Sequence, residues 1–335
     1  MRIAVTGATG FLGGHLVQRL LAAGHEVTAL ARGAAPKLEH AGARLVHGEL
    51  PDASAAAGLV TGAEAVVHLA GRVSRDPADG PAMYRLHVEG TRTLLDAAKT
   101  AGVKRFVLAS SSGTIGVSKH ERIATESDDY PIEVVGRWPY YLSKIYEEKL
   151  ALEFCAKSGL PVICLNPSLI LGPGDERLSS TGDVWKFLHR DIPAMPSGGL
   201  SFVDVRDAAA MFEAALTRGR PGERYLLGGA NMAFPEFFAR LARLSGVAAP
   251  RLRLPSRVNL WGTELLERWS SFRGVEPPID RASVEMGEHW FFVDSSKAAG
   301  ELGFAPRDPQ ETLRDTVRWL QARVDRKPAF EERVS

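Results

Sequence analysis

Over the first half of the chain, short apolar runs alternate with stretches whose apolar residues recur every three to four positions. Residues 3–6 (Ile-Ala-Val-Thr) predict a strand, and residues 11–23 a helix with Leu12, Leu16, Val17 and Leu20 along one side. Further strands are predicted at 27–31, 44–47, 65–70, 105–109 and 161–165, with helices over about 83–100 and 139–157. Apolar strands this short, separated by helices, imply a buried parallel sheet covered on both faces. That is the doubly wound α/β class, in which ligands sit beyond the carboxyl ends of the strands.

After Leu171 the pattern changes. Gly172-Pro173-Gly174-Asp175 is a turn cluster, and Pro193, Pro196, Gly198 and Gly199 follow in loop-like context. Residues 202–216 return to strand and then helix, 224–227 read as a strand and 234–245 as a helix. The remainder reads as irregular, with Trp261, Trp269, Phe272 and Trp290 in it. The expected organisation is a first domain over 1–172, with a return segment at about 201–230. A smaller, mixed C-terminal substrate lobe is expected over 173–200 and 231–335.

Composition narrows the field by exclusion. The 335 residues are 45% hydrophobic and 24% charged, an ordinary globular balance. Lys plus Arg is 41 and Asp plus Glu is 40, a net charge of +1, which removes the simplest argument for nucleic acid as a partner. No run is apolar for the eighteen or more residues that a membrane span needs. Cys155 and Cys164 are too few for a disulfide framework, and no CxxC pair or other spacing suggests a metal, so a cytoplasmic location is expected.

Four motifs carry chemistry. Thr6-Gly7-Ala8-Thr9-Gly10-Phe11-Leu12-Gly13 lies between the first strand and the first helix, where glycines let the backbone turn tightly and approach a pyrophosphate at the helix N-terminus. At the end of the second strand, where an acid would bind the ribose hydroxyls of NAD, stands Arg32, with Lys37 nearby; guanidinium and ammonium there suit the 2′-phosphate of NADP(H). NADP(H) is therefore the preferred cofactor, with NAD(H) as the alternative. Tyr140 and Lys144 are four apart on a predicted helix that opens with Pro139, hence on one face. A free phenol titrates near 10, so Lys144 is expected to lower it. Ser110-Ser111-Ser112-Gly113 ends the fifth strand, placing a hydroxyl where a carbonyl oxygen could gain charge.

Taken together and in this order, the glycine turn, the serine run and Tyr-x-x-x-Lys resemble the extended branch of the short-chain dehydrogenase/reductase superfamily. His68-Leu69-Ala70-Gly71, Gly90-Thr91, Asn166-Pro167 and residues 202–207 fit as well, so the resemblance covers nearly the whole chain. Within the branch the chain looks most like dihydroflavonol-reductase-like and hopanoid-associated sugar epimerase-like proteins. The resemblance implies a Rossmann domain with Ser111 as catalytic hydroxyl, Tyr140 as proton donor, and Lys144 as the residue that tunes it and binds the nicotinamide ribose. It also implies cofactor contacts from Gly7, Thr9, Gly10, Phe11, Leu12, Gly13, Leu69, Ala70, Gly71, Pro167 and Ser168. Glu49-Leu50 stands where the family usually has Asp-Leu beside adenine. His87 replaces the family's Asn in Asn-Val-x-Gly-Thr, which bears on the backbone of the site.

Three readings follow. The first is an NADPH-dependent reductase of a ketone or aldehyde on a small, aromatic or lipid-like substrate. The second is a nucleotide-sugar epimerase or dehydratase, with Arg251 and Arg253 gripping a diphosphate. Ser112-Gly113, in place of the Asp-Glu pair that follows the active hydroxyl in dehydratases of the superfamily, argues against dehydration. The third is a dinucleotide sensor without catalysis, which the presence of both Tyr140 and Lys144 disfavours. Trp138, Trp185, Phe187, Trp261 and Trp269 could line an apolar pocket or pack the lobe's own core. The amphipathic stretch 258–269 could touch a membrane surface, a partner helix or the core. The resemblance also implies homodimers formed through helices near Met83 and Tyr140.

Overall fold

The computed structural model describes residues 1–252 and 281–324. Arg253, Trp261, Trp269 and the stretch 258–269 lie outside those residues. Seven strands, β1 (Arg2–Thr6), β2 (Glu26–Ala31), β3 (Arg44–His47), β4 (Ala65–His68), β5 (Arg105–Ala109), β6 (Val162–Pro167) and β9 (Arg224–Leu227), form one parallel sheet in the order β3-β2-β1-β4-β5-β6-β9. The chain runs outward from β1 to β3, then crosses back to lay β4 on the other side of β1. Strand order reverses between β1 and β4, and the crevice opens beyond their carboxyl ends, where Thr6 is paired with His68.

Alternation along each strand divides the core. Ile3, Val5, Val107 and Ile163 face a layer with Leu16, Val17 and Leu20 of helix Phe11–Ala22 and Phe212 of helix Val205–Ala214. Ala4, Val66, Phe106 and Cys164 face the opposite layer, with Leu59, Leu94, Leu95 and Ala151. Both faces are covered, which is why the strands read as nearly unbroken apolar runs.

Strands β7 (Leu169–Leu171), β8 (Gly199–Asp204) and β10 (Ala230–Ala233) form a separate mixed sheet in the order β10-β8-β7. Its core joins Phe187, Phe202, Phe237, Phe238 and Leu241 to Leu313, Val317 and Leu320 of the C-terminal helix Pro309–Val324. Asp204 accepts from the Arg206 amide and guanidinium, Arg206 reaches Asp315 at 2.9 Å, and Arg307 pairs with Asp207 at 2.8 Å. The region after 245, expected to be irregular, holds helices Arg281–Gly287, Ser296–Leu302 and Pro309–Val324 among the described residues. The expected helix over 83–100 begins at Gly80 and carries a π-helical turn, Arg85–Glu89, between two α-helical pieces.

The glycine turn is held by its own backbone. Gly7 has φ +70°, and a Cβ there would lie 2.6 Å from the Leu69 and Ala70 backbone. A Cβ on Gly13 would lie 2.1 Å from the Gly7 carbonyl oxygen. Gly13→Ala is therefore expected to cost about 1–3 kcal/mol through overpacking against backbone that cannot yield. Urea unfolding would check it; an unchanged midpoint would mean that the turn opens freely.

Candidate active site

Beyond the carboxyl ends of the strands, three segments converge. The first is the glycine turn. Gly10, with no side chain to cap helix Phe11–Ala22, leaves the first-turn amides without a side-chain partner, as an anion site requires. Thr9 is exposed, while Phe11 and Leu12 are partly buried at the start of the helix. Leu69 and Ala70 pack against Gly7, and Gly71 continues the segment as it leaves the sheet. The strand expected over 65–70 thus ends at His68.

The second is the β2–β3 edge. Arg32 follows β2 and Lys37 lies in the short helix Pro36–His40; both are exposed. Glu49 is exposed beyond β3, whereas Leu50 is buried, so close to Gly90 that a Cβ there would meet its side chain at 2.9 Å. Leu50 packs on Gly90. At the other end of the crevice Pro167 pairs with Leu227, and the Ser168 hydroxyl donates to the Leu227 carbonyl at 2.9 Å, which directs it toward β9.

The third is helix Pro139–Ser158, whose buried face is polar. Ser143, Lys144, Glu147 and Glu148 are all buried there. Lys144 donates to the Ala109 carbonyl at 2.7 Å and forms a close ion pair with Glu147. The Ser111 hydroxyl, buried at the end of β5, lies close enough to act on the Tyr140 phenol, so the three residues singled out from the sequence are brought together. Lys144, expected to lower the phenol, is instead engaged by the Ala109 carbonyl and Glu147. Desolvation pushes Tyr140 up to about 12; Ser111 opposes this and the Glu147 charge adds to it.

His87 sits within the π-helical turn as a buried brace. Its Nε2 accepts from the Arg72 amide at 3.0 Å, so Nδ1 carries the proton and is 2.8 Å from the Ser143 hydroxyl, which donates onward to the Tyr140 carbonyl at 2.7 Å. His68 is placed by the same logic. The Ala70 amide donates to Thr6 Oγ1 at 3.1 Å, and Thr6 lies 2.6 Å from His68 Nδ1. His68 Nε2 is 2.8 Å from Thr91, which donates to Glu147 Oε1 at 3.0 Å. Burial, then the Lys144 charge, holds His68 down to about 3 and His87 well below the usual histidine value.

Glu148 was not singled out from the sequence. It accepts from Ser110, from Asn166 at 2.6 Å, from Tyr130 at 3.1 Å and from Thr114 at 3.2 Å, with Arg224 at 3.5 Å. On the far side of Tyr140 stand aromatic rings: Tyr141 at 5.2 Å, with Phe291 at 6.0 Å from Tyr141. Trp138 is buried beneath them and Phe187 belongs to the lobe core, so neither is a pocket wall. Trp185 lies against His189 with centroids 4.1 Å apart. Arg251 is exposed.

A doubly wound sheet with an open glycine turn at its switch point and a Ser–Tyr–Lys group at the adjoining strand ends defines a dinucleotide-dependent enzyme. Residues 3–228 match the NAD dependent epimerase/dehydratase family, and the chain belongs to that family, the extended short-chain dehydrogenases/reductases. It is an NAD(P)-dependent oxidoreductase. Among its relatives, a Synechocystis sp. protein provisionally named dihydroflavonol 4-reductase is 34% identical, covering 95% of this chain and 94% of that protein. Sterol demethylase protein B of Methylococcus capsulatus is 32% identical over 96% and 99%. The crystal structure of gox2253 superposes with a TM-score of 0.83 at 31% identity, covering 96% of this chain and 98% of that one.

The two buried neutral histidines make stability depend on pH. Their folded pKa values lie below the unfolded value near 6.5, so the unfolded chain binds more protons in acid. Stability present above about pH 6.5 is lost as pH falls toward 4, by up to about 1.4 kcal/mol per pH unit for each histidine. In urea unfolding at a series of pH values, His87→Asn is expected to make that slope shallower by about one proton. An unchanged slope would show that His87 protonates within the fold.

Proposed function

We propose that this enzyme is an NADPH-dependent reductase of a ketone or aldehyde on a small, apolar, aromatic or lipid-like substrate. The observation that carries the reading is the convergence of buried Ser111 at the end of β5 with Tyr140 and Lys144 on one helix, Lys144 being anchored to the Ala109 carbonyl at 2.7 Å; Tyr140 is a phenol there, the form that can give a proton. The uncapped amides after Gly10 and the exposed Arg32 and Lys37 fit the pyrophosphate and 2′-phosphate of NADPH. When bound, the reduced nicotinamide supplies the hydride. Ser111 orients the substrate oxygen, Tyr140 protonates it as it gains charge, and Lys144 offers its remaining N–H to the ribose hydroxyls. Gly7, Gly13, Leu69, Ala70 and Gly71 shape the floor beneath the cofactor, with Pro167 at the nicotinamide end. Tyr141 and Phe291 would face the substrate, which supports an apolar partner over a sugar nucleotide.

Two outcomes check this. Calorimetry is expected to show tighter binding of NADPH than of NADH, with the preference largely lost in Arg32→Ala. Equal or tighter NADH binding would bring the epimerase reading forward. Across a ketone and aldehyde panel, Tyr140→Phe is expected to lower kcat by about 10²–10⁴ with cofactor affinity retained. Loss of less than tenfold would remove Tyr140 from the chemistry.

A further inference from the structure

Lys144 is the cation that the Tyr-x-x-x-Lys spacing assigns to Tyr140, yet its charge is already matched. The ammonium is buried, donates to the Ala109 carbonyl at 2.7 Å and is in close ion-pair contact with the carboxylate of Glu147, one turn along the same helix face. Glu147 is fully buried, and its other oxygen receives the Thr91 hydroxyl at 3.0 Å. That hydroxyl ends a chain of donors running one way: Ala70 amide to Thr6, Thr6 to His68, His68 to Thr91, Thr91 to Glu147. Every member needs Glu147 as the final acceptor, so the network favours its carboxylate form. Burial raises Glu147, and Lys144 and Thr91 act against that rise.

The remaining groups facing the pair leave the balance in place. His68 on β4 and His87 in the π-helical turn are held neutral. Cys164 on β6 is a buried thiol that burial and the two glutamates push upward. Glu148 faces away, toward Ser110, Asn166, Tyr130 and Arg224.

We infer that Glu147 is a positioning residue: it fixes the Lys144 ammonium beneath Ala109 and compensates its charge, so that Tyr140 rests as a neutral phenol poised to donate rather than accept a proton. A paired Lys144 still offers one N–H to a ribose, while the Glu147 charge acts to raise the phenol. Glu147 thereby biases the acid–base group toward the reductive direction. The inference rests on Tyr140 being the proton donor of the proposed reaction, and it deepens that reading.

The test is a titration that uses no substrate. Tyrosinate absorbance of the wild-type protein without added cofactor is compared with that of Tyr140→Phe, and Glu147→Gln with Glu147→Gln/Tyr140→Phe, up to pH 10 with the fold followed by circular dichroism. The wild-type difference is expected to stay near zero through pH 10, consistent with a phenol at about 12. Glu147→Gln leaves the Lys144 charge uncompensated and is expected to move the Tyr140 midpoint down by about one to two pH units, raising its ionised fraction at pH 10 about tenfold or more. An unchanged fraction in a folded Glu147→Gln protein would overturn the inference, as would a wild-type Tyr140 half ionised by about pH 9. Should Glu147→Gln not fold, Lys144→Met/Glu147→Met removes both charges without leaving either unpaired. Its Tyr140 signal at pH 10 is expected to match the wild type, and a signal rising above it would overturn the inference. Because no turnover is read, a failed carbonyl panel and a failed Glu147 role remain distinguishable.

Discussion

The structure turns on three charged side chains buried under one helix. An isolated ammonium or carboxylate in an apolar layer would be severely destabilising, and the fold tolerates Lys144, Glu147 and Glu148 only because each is met by partners in several elements. Glu148 ties the end of β5 through Ser110, the following turn through Thr114, β6 through Asn166, and the approach to β9 through Arg224. Those are the strand ends that present Ser111 and Pro167. Helix and strand ends are therefore held in one register by a shared carboxylate rather than by shape alone, and losing any one partner would strand the others.

The same economy explains the π-helical turn. The extra residue in the helix carries His87 to where Nε2 can accept from the Arg72 amide while Nδ1 faces Ser143. A Cβ on Gly71 would come within 3.2 Å of His87 Nε2, so the segment leaving β4 lies directly on the ring. The cofactor-side backbone and the helix of Tyr140 and Lys144 are thus braced twice, by the buried His87 and by the Thr6–His68–Thr91–Glu147 chain.

Much of this was legible in the sequence, and the reasons are physical. Strands buried on both faces are continuous apolar runs, and a strand–glycine–helix turn has few alternatives, so the doubly wound sheet could be read directly. The spacing of Tyr140 and Lys144 gives their common face. What spacing cannot give is burial: Glu147 and Glu148, three and four residues after Lys144, look like solvated pairs on a helix surface. Hence the phenol was expected to be lowered, when the lysine is already engaged. The amphipathic spacing of Leu313, Val317 and Leu320 was a readable signal for the last helix, masked by the charged residues between them.

The serine run shows how closely sequence and site are joined. Ser110 serves Glu148, Ser111 meets the Tyr140 phenol, and Gly113 is needed because a Cβ there would sit 2.0 Å from the Tyr141 ring. Its φ is unexceptional, so steric contact and not backbone freedom demands glycine at that position. Tyr141 in turn packs with Trp138 and Phe291, the latter supplied by the C-terminal part of the chain. Tyr140 therefore stands at a boundary between the polar network of Ser143, Lys144 and Glu147 and an aromatic layer of Tyr141, Trp138 and Phe291. A phenol in that position is raised by desolvation and by the Glu147 charge, and both effects act before any substrate arrives.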